Sequence, residues 1–280
     1  FLKSGEEMCL LRDYKKSGQE RRLEYYKDDT QKFSMEIRDD FLEFKALFDD
    51  GAGGFMVLTQ AETSDGNELS FSFSIGRGIE VVEGKYLKSL QVGHSFLCVG
   101  LHDRGGYRVY NENGIVEFDF KVEPELIVVG DKILITSFGE KTAILYKEGE
   151  SQNLYFDMKD GVRINEAILH EGRIYVVVEG KEGAGSSRLY DLETKLPIMK
   201  ESFISATKLS GHNGKLVLKC LGFGGKSGVS IVYDGKEIAH FEGTTSDAIQ
   251  FEPGVLAITE EQKSETGEGT IMKRHEVRLP

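Results

Sequence analysis

The chain has 280 residues, of which 39% are hydrophobic and 29% charged, a composition that supplies a core and excludes a disordered or collagen-like protein. Its 35 Lys and Arg residues stand against 47 Asp and Glu residues. The resulting net charge of −12 repels polyanions, so we expect no nucleic-acid partner.

A short apolar run recurs seven times along the chain. The runs begin at Met8, Phe55, Phe96, Ile133, Ile174, Leu216 and Val255. Intervals of 37 to 47 residues separate successive runs, and their mean is about 41. This period is typical of propeller blades and excludes the usual short helical repeats.

The same order of strands is predicted around each run. An innermost strand precedes the run, as in residues 41–48, 125–129 and 248–251. A polar loop, a further strand, a tight turn and a last strand follow. The strand after the loop often ends in Tyr and a polar residue, as at Tyr26, Tyr110, Tyr146, Tyr190 and Tyr233. Such β-branched and aromatic strands, separated by Gly, Asn and Asp, are typical of hairpins.

These repeats predict one all-β domain over residues 1–280, a seven-bladed β-propeller of four-stranded antiparallel blades. Residues 1–5 align with the end of an innermost strand and its turn, so we expect blade one to be truncated at its N-terminus. No basic-then-apolar leader opens the sequence, and no apolar run approaches the roughly 18 residues of a membrane span, so we expect no membrane association.

The centre of each apolar run is predicted to be buried between neighbouring blades. The equivalent positions are Leu10, Val57, Cys98, Ile135, Val176, Leu218 and Ala257. All three cysteines, Cys9, Cys98 and Cys220, lie in such runs, which predicts buried, unpaired thiols. Because no Asn-X-Ser/Thr sequon occurs either, we expect a reducing, cytoplasmic location.

Two glycine pairs carry a family resemblance. Gly105 and Gly106 precede Tyr107, and Gly224 and Gly225 precede Tyr233, which is similar to the double glycine and tyrosine of kelch repeats. The chain has no Trp, which kelch blades characteristically carry, and it lacks the Trp-Asp and Gly-His signatures of WD40 blades. The chain therefore resembles the β-propeller superfamily over its whole length without a subfamily signature, and fold alone does not imply function.

Signatures of catalysis and of cofactor binding are weak. Residues 222–228 look like a phosphate cradle, but Cys220 occupies a position where a Walker A loop needs Gly, and a strand follows where that motif needs a helix. We predict a flexible loop there. No Gly-X-Ser-X-Gly elbow occurs, so no catalytic residue is assigned.

Two histidines occupy equivalent positions in consecutive repeats. His170 and His212 each lie four residues before an apolar run, and imidazoles from adjacent blades can share a metal. No Glu or Asp stands at that position in the other repeats to complete a ligand shell. We therefore expect solvated turn histidines and neither a metal nor a cofactor.

Long charged loops follow several apolar runs, at residues 13–20, 60–68, 179–187, 221–228 and 259–270. Propeller topology places such loops on one face, and loops on a rigid scaffold often carry binding residues. Ring closure would also bring Arg21 and Arg22 near Lys273, Arg274 and His275, which forms a basic seam. The predicted binding residues are Lys15, Lys16, Arg21, Arg22, Asp103, Arg104, Lys181, Phe223, Lys226 and Arg274.

The sequence favours a non-catalytic interaction or scaffold module that binds a protein partner on the long-loop face. A propeller-type hydrolase or lyase that acts on a saccharide or small molecule in the central pocket is the alternative. A third hypothesis is a subunit of a larger assembly.

Overall fold

A computed structural model describes most of the chain. The described residues are 2–4, 7–12, 21–37, 43–49, 55–63, 66–73, 79–102, 105–139, 142–155, 161–183, 185–242, 244–245, 249–263 and 270–280. They form 27 β-strands and one 3-10 helix, Phe223–Gly225, and they contain no α-helix.

The strands form seven antiparallel sheets within these residues. Sheet one contains β1 Leu2–Ser4, β2 Glu7–Arg12, β3 Arg21–Lys27 and β4 Thr30–Ile37. Sheet two contains β5 Glu43–Asp49, β6 Phe55–Thr63, β7 Gly66–Phe73 and β8 Ile79–Glu83. Sheet three contains β9 Lys85–Val92, β10 Ser95–Leu101, β11 Tyr107–Asn111 and β12 Val116–Phe120. Sheet four contains β13 Pro124–Val129, β14 Lys132–Ser137, β15 Thr142–Lys147 and β16 Glu150–Tyr155.

The last three sheets continue this order. Sheet five contains β17 Gly161–His170, β18 Arg173–Gly180 and β19 Arg188–Asp191. Sheet six contains β20 Ser205–His212, β21 Lys215–Leu221, β22 Val229–Tyr233 and β23 Lys236–Phe241. Sheet seven contains β24 Thr244–Thr245, β25 Ile249–Glu252, β26 Val255–Lys263 and β27 Thr270–Arg278.

Each predicted apolar run forms the second strand of a sheet. In sheet three, Cys98 of β10 pairs with Ser89 of β9 on one side and with Tyr110 of β11 on the other. A strand in this position contributes side chains to both faces of its sheet, so the whole run must be apolar. The chain is all-β, and its sheets are the antiparallel blades of a β-propeller. The predicted contact between the first and last blades stays a prediction.

The chain divides into two compact units. Unit 1 comprises residues 1–126, 131–135 and 145–152, and unit 2 comprises residues 127–130, 136–144 and 153–280. In unit 1, buried residues of sheets two and three form one cluster that includes Phe48, Phe71, Phe96 and Tyr110. In unit 2, one cluster fills the space between sheets five and six, and a second contains Ile231, Leu256 and Val277 of sheets six and seven.

Two sheets depart from the predicted four-strand order. In sheet five the outer strand is replaced by an irregular segment. It forms isolated bridges from Pro197 to Tyr190 of β19 and from Phe203 to Ser187, which precedes β19. Pro197 has no N–H to continue a ladder, which explains the irregular pairing. In sheet seven, β24 and β25 pair with successive parts of β26, and β27 lies on its other side.

The predicted core positions are mostly buried. Val57, Cys98, Ile135, Val176 and Leu218 are buried, whereas the side chain of Leu10 lies outside the description. The prediction for Ala257 was wrong, because Ala257 is only half-buried and the core of sheet seven is filled by its neighbours Leu256 and Ile258. Alternation along β26 points these neighbours to the opposite face from Ala257.

The cysteines with described side chains are free thiols. Cys98 and Cys220 are buried on the second strands of sheets three and six. Burial raises the pKa of Cys98 above its ordinary range and that of Cys220 to about 12. Both thiols therefore stay protonated and act as small apolar side chains.

The recurrent Tyr and polar residue at the end of the third strand have structural roles. The hydroxyl of Tyr110 donates to the carbonyl of Glu83, and that of Tyr146 donates to the carboxylate of Glu112. The polar residue that follows caps the next turn, as when Asn111 Oδ1 accepts the N–H groups of Asn113 and Ile115. These pairs fix the hairpins of the blades.

The buried second strands predict a strong response to charge. Val176→Asp would place a carboxylate at a position with 0% exposure. Because a charge buried there would lose its hydration, the free energy of unfolding should fall by about 3 kcal/mol or more. Val128→Asp makes the same chemical change at an exposed position of β13 and should have a small effect. Urea denaturation measures both, and equal stability of the two variants would contradict the assigned burial.

Candidate functional site

In most sheets the two ends differ in the length of their connections, whereas in sheet two β6 ends at Thr63 and β7 begins at Gly66. At one end, here named the loop end, the second strand passes to the third through a long connection such as residues 181–187 or 222–228. At the opposite hairpin end, both connections of sheet six are two residues long, 213–214 and 234–235. The predicted long loops of sheets five and six are therefore present. The prediction of a long loop at residues 60–68 was wrong, because β6 continues to Thr63 and β7 begins at Gly66.

The predicted binding residues do not form one described cluster. Outside the described residues lie Lys15, Lys16, Asp103 and Arg104. Arg21 is described only as the first residue of β3. Exposed side chains are those of Arg22, Lys181, Lys226 and Arg274. Arg22 belongs to unit 1 and Arg274 to unit 2, and the predicted basic seam between them stays a prediction.

Phe223 lies in the core instead of at the surface. Its side chain is 4% exposed and belongs to the cluster between sheets five and six. Gly222 and Gly224 on either side have φ values of 68° and 61°, which lets the chain turn the ring inward. Phe223 thus anchors the connection, whose ends are joined by the hydrogen bond from Gly222 N–H to Gly228 O at 3.1 Å, and its predicted flexibility stays a prediction.

Lys226 takes part in a polar cluster on sheet six. Its ammonium group pairs with the carboxylate of Glu237. Glu237 also accepts the hydroxyl of Ser230 at 2.8 Å, and Ser230 Oγ lies 3.0 Å from Nδ1 of His240. Burial raises the pKa of Glu237, but the hydrogen bonds from Lys226 and Ser230 outweigh it and hold the pKa below its ordinary value.

This cluster is not arranged for nucleophilic catalysis, although it contains Ser, His and a carboxylate. A catalytic serine must be reachable by substrate and must give its proton to a base that a third group orients. Ser230 is fully buried, and its hydroxyl donates to Glu237. The cluster instead fixes β22 against β23 and holds Lys226 in place.

The two repeated histidines have different surroundings. His212 is half-buried and lies 3.1 Å from the amide of Asn213. The expectation that His170 is solvated was wrong, because His170 is buried and packs against Gly211, where a Cβ would lie 2.3 Å from its ring. Among the described residues, no three His, Cys, Asp or Glu side chains are close enough to bind one metal ion.

Among the described residues, five exposed apolar side chains lie at the loop end of unit 2, whereas Val128, Leu169 and Leu196 are exposed at its hairpin end. Phe138 follows β14, Leu221 ends β21, Ile204 precedes β20, and Ile271 and Met272 begin β27. Phe138 is 55% exposed and Met272 is 61% exposed. The sequence-based prediction did not include these residues because it selected mainly charged residues of the loops. The available signal was a large apolar residue at a strand boundary beside glycine, as at Phe138 and Gly139.

Two of these residues are in adjacent segments. The backbone N–H of Ile204 donates to the carbonyl of Leu221 at 2.7 Å. The side chain of Ile204 lies over Gly222, where an added Cβ would meet it at 2.8 Å. The absence of a side chain at Gly222 therefore lets Ile204 and Leu221 lie side by side at the loop end of sheet six.

A cavity of about 240 Å³ lies elsewhere in unit 2, at the hairpin end of sheets five and six. Its walls include Arg173, Asp191, Lys215 and Asp234, and its floor is apolar. Among the predicted binding residues that the structure describes, none lines this cavity.

Comparison with known proteins gives remote structural likenesses. No family model and no curated protein matches the chain. A prolyl endopeptidase structure is 12% identical, with 99% of this chain and 49% of that chain covered and a TM-score of 0.40. Pyrococcus horikoshii acylaminoacyl peptidase is 13% identical, with 98% of this chain and 50% of that chain covered and a TM-score of 0.37. The β-propeller domain of the Trilobed protease from Pyrococcus furiosus is 13% identical, with 99% of this chain and 95% of that chain covered and a TM-score of 0.37.

The chain spans about half the length of the prolyl endopeptidase and acylaminoacyl peptidase chains. These likenesses carry no inference about activity. In the described part of the chain, we find no helix with the length and apolar character of a membrane span.

The lowered pKa of Glu237 predicts a pH-dependent contribution to stability. The folded pKa lies below the ordinary value of 4.5, so the contribution is complete above that value and is lost as the pH falls through the folded pKa. Glu237→Gln cannot titrate and should lose less stability than the wild type between about pH 5 and pH 3. Urea denaturation across this range measures the effect, with Glu182→Gln as the control for loss of one exposed charge. Parallel curves for the wild type and Glu237→Gln would contradict the assignment.

Proposed function

We propose that this chain is a non-catalytic interaction module that binds a protein partner at the loop end of its blades. The observation that carries the proposal is the set of exposed apolar side chains at that end of unit 2, led by Phe138, Ile204 and Leu221. Apolar side chains that are exposed next to one another, as Ile204 and Leu221 are, favour a role in association.

The hydrogen bonding and packing around these residues support this role. Ile204 and Leu221 are joined by a backbone hydrogen bond, and the adjoining connection is anchored by the buried ring of Phe223. A surface that is already ordered loses little conformational entropy on binding. Aromatic and large apolar residues in such settings often supply most of the binding energy.

The charges near this surface favour an apolar segment of the partner. Lys226 is already paired with Glu237, so it offers little net charge to a ligand. The chain as a whole carries a charge of −12, which disfavours a strongly acidic partner except at a local basic site. A partner segment with a leucine- or phenylalanine-sized side chain and few acidic residues fits these conditions.

The buried, protonated thiols of Cys98 and Cys220 fit a reducing compartment, so the proposal includes a cytoplasmic location. It also includes assembly as a component of a larger complex, which would differ from transient binding only in how long the partner stays bound.

A quantitative capture experiment tests the proposal. The immobilised chain is exposed to native lysate, and the amount of each captured protein is compared with that captured by Phe138→Ser combined with Leu221→Ser. Both residues are exposed, so this variant should fold, and we expect at least a tenfold loss of one stoichiometric partner. The matched control is Val128→Ser, which removes an exposed apolar side chain of β13 at the hairpin end and should capture normally.

The outcome separates the alternative surfaces. Undiminished capture by the loop-end variant would contradict the proposal. If capture is instead abolished by Arg22→Glu combined with Arg274→Glu and weakens as salt rises, the partner binds the predicted basic seam.

A further inference from the structure

The cavity at the hairpin end of unit 2 results from the irregular outer segment of sheet five. After β19, the carboxylate of Asp191 accepts the N–H groups of Glu193 and Thr194, each at 2.9 Å, which turns the chain sharply. The chain then returns to β19, where Asp191 N–H donates to Leu196 O and Ile198 N–H donates to Leu189 O, each at 3.0 Å. A regular fourth strand would run along this edge, and its displacement leaves the space open.

A turn of sheet six closes the opposite wall. Gly235 lies against the returning segment so closely that an added Cβ would be 2.7 Å from the carbonyl oxygen of Ile198. Its φ of +75° also favours glycine. The segment of sheet five and this turn therefore hold each other in place, which defines the cavity without a bound ligand.

The floor of the cavity is a continuation of the protein core. Leu216 and Leu218 of β21 line the cavity and also belong to the buried cluster between sheets five and six. Tyr175 and Ile198 line it as well and pack against the same cluster. At the rim, Leu196 is 64% exposed. An apolar group that entered the cavity would extend the core and cover this leucine.

The rim is charged but nearly balanced. Arg173 pairs with the buried Asp191 at 2.5 Å, and Lys215 pairs with Asp234 at 3.3 Å. A further carboxylate, that of Glu171, lies beside Gly214. Both cations and Asp234 are about half exposed, so the rim offers N–H donors and a carboxylate acceptor without a strong field of either sign. Such a rim complements the alternating N–H and C=O groups of a peptide and not a highly charged ligand.

We propose that this cavity binds a leucine-sized apolar side chain of a peptide segment, whose backbone lies across the rim. A volume of about 240 Å³ is below the range of about 300 to 1,000 Å³ for cofactor-sized ligands, which favours a single side chain with its flanking backbone. This site is distinct from the loop-end surface, and neither proposal depends on the other.

Methyl NMR spectroscopy of the full chain tests the proposal with a defined probe. The probes are N-acetylated, C-amidated pentapeptides of sequence Gly-Ser-X-Ser-Gly with X as Leu, Ala or Asp. The Leu peptide should cause saturable shifts in the methyl signals of Leu196, Leu216 and Leu218, with an affinity at least about tenfold above that of the Ala peptide. The Asp peptide should cause no saturable shift, because the rim has no excess of positive charge.

A variant that fills the cavity supplies the decisive control. Thr194 is exposed and lines the cavity, so Thr194→Trp should block entry without disturbing the core, whereas Thr194→Ser should bind the Leu peptide like the wild type. Thermal denaturation confirms that both variants fold. Absence of saturation by the Leu peptide, equal affinity for the Ala peptide, or unchanged binding to Thr194→Trp would each overturn the proposal. Loss of peptide binding without loss of lysate capture would leave the loop-end proposal intact.

Discussion

Burial of the second strand of each sheet on both faces is the constraint on which the structure depends. Leu97, Cys98 and Val99 are successive residues of β10, and all are fully buried although their side chains alternate between the faces. One sheet cannot cover both of its own faces, so each must pack against other sheets. The repeated apolar run thus determines both the strand order and the stacking of blades.

This constraint confines variation to the ends and outer edges of the sheets. A substitution within the second strand must preserve an apolar volume, whereas connections can change as long as their ends meet. In unit 2 the loop end exposes residues such as Phe138 and Ile204, and the hairpin end holds a cavity beside Pro197. Both candidate binding sites therefore lie at the ends of sheets, outside the buried second strands.

The sequence predicted the strands well because their signal is local. A continuous apolar run between turn residues identified the second strand of every sheet, and Tyr190 correctly marked the end of β19. The site was predicted poorly because burial of a loop residue depends on distant contacts. Phe223 in a glycine-rich loop appeared to be exposed, yet its ring fills the core, and His170 is buried only because Gly211 leaves room for it.

Hydrogen exchange measured by NMR tests the central role of the second strands most directly. If burial on both faces holds each blade together, amides of β10, β14, β18 and β21 exchange slowest in their sheets, and those of the outer strands β12, β16 and β23 exchange faster. Slowest exchange at Cys98 in β10, Ile135 in β14 and Val176 in β18 is the predicted result. Exchange in these second strands as fast as in the outer strands would contradict the account.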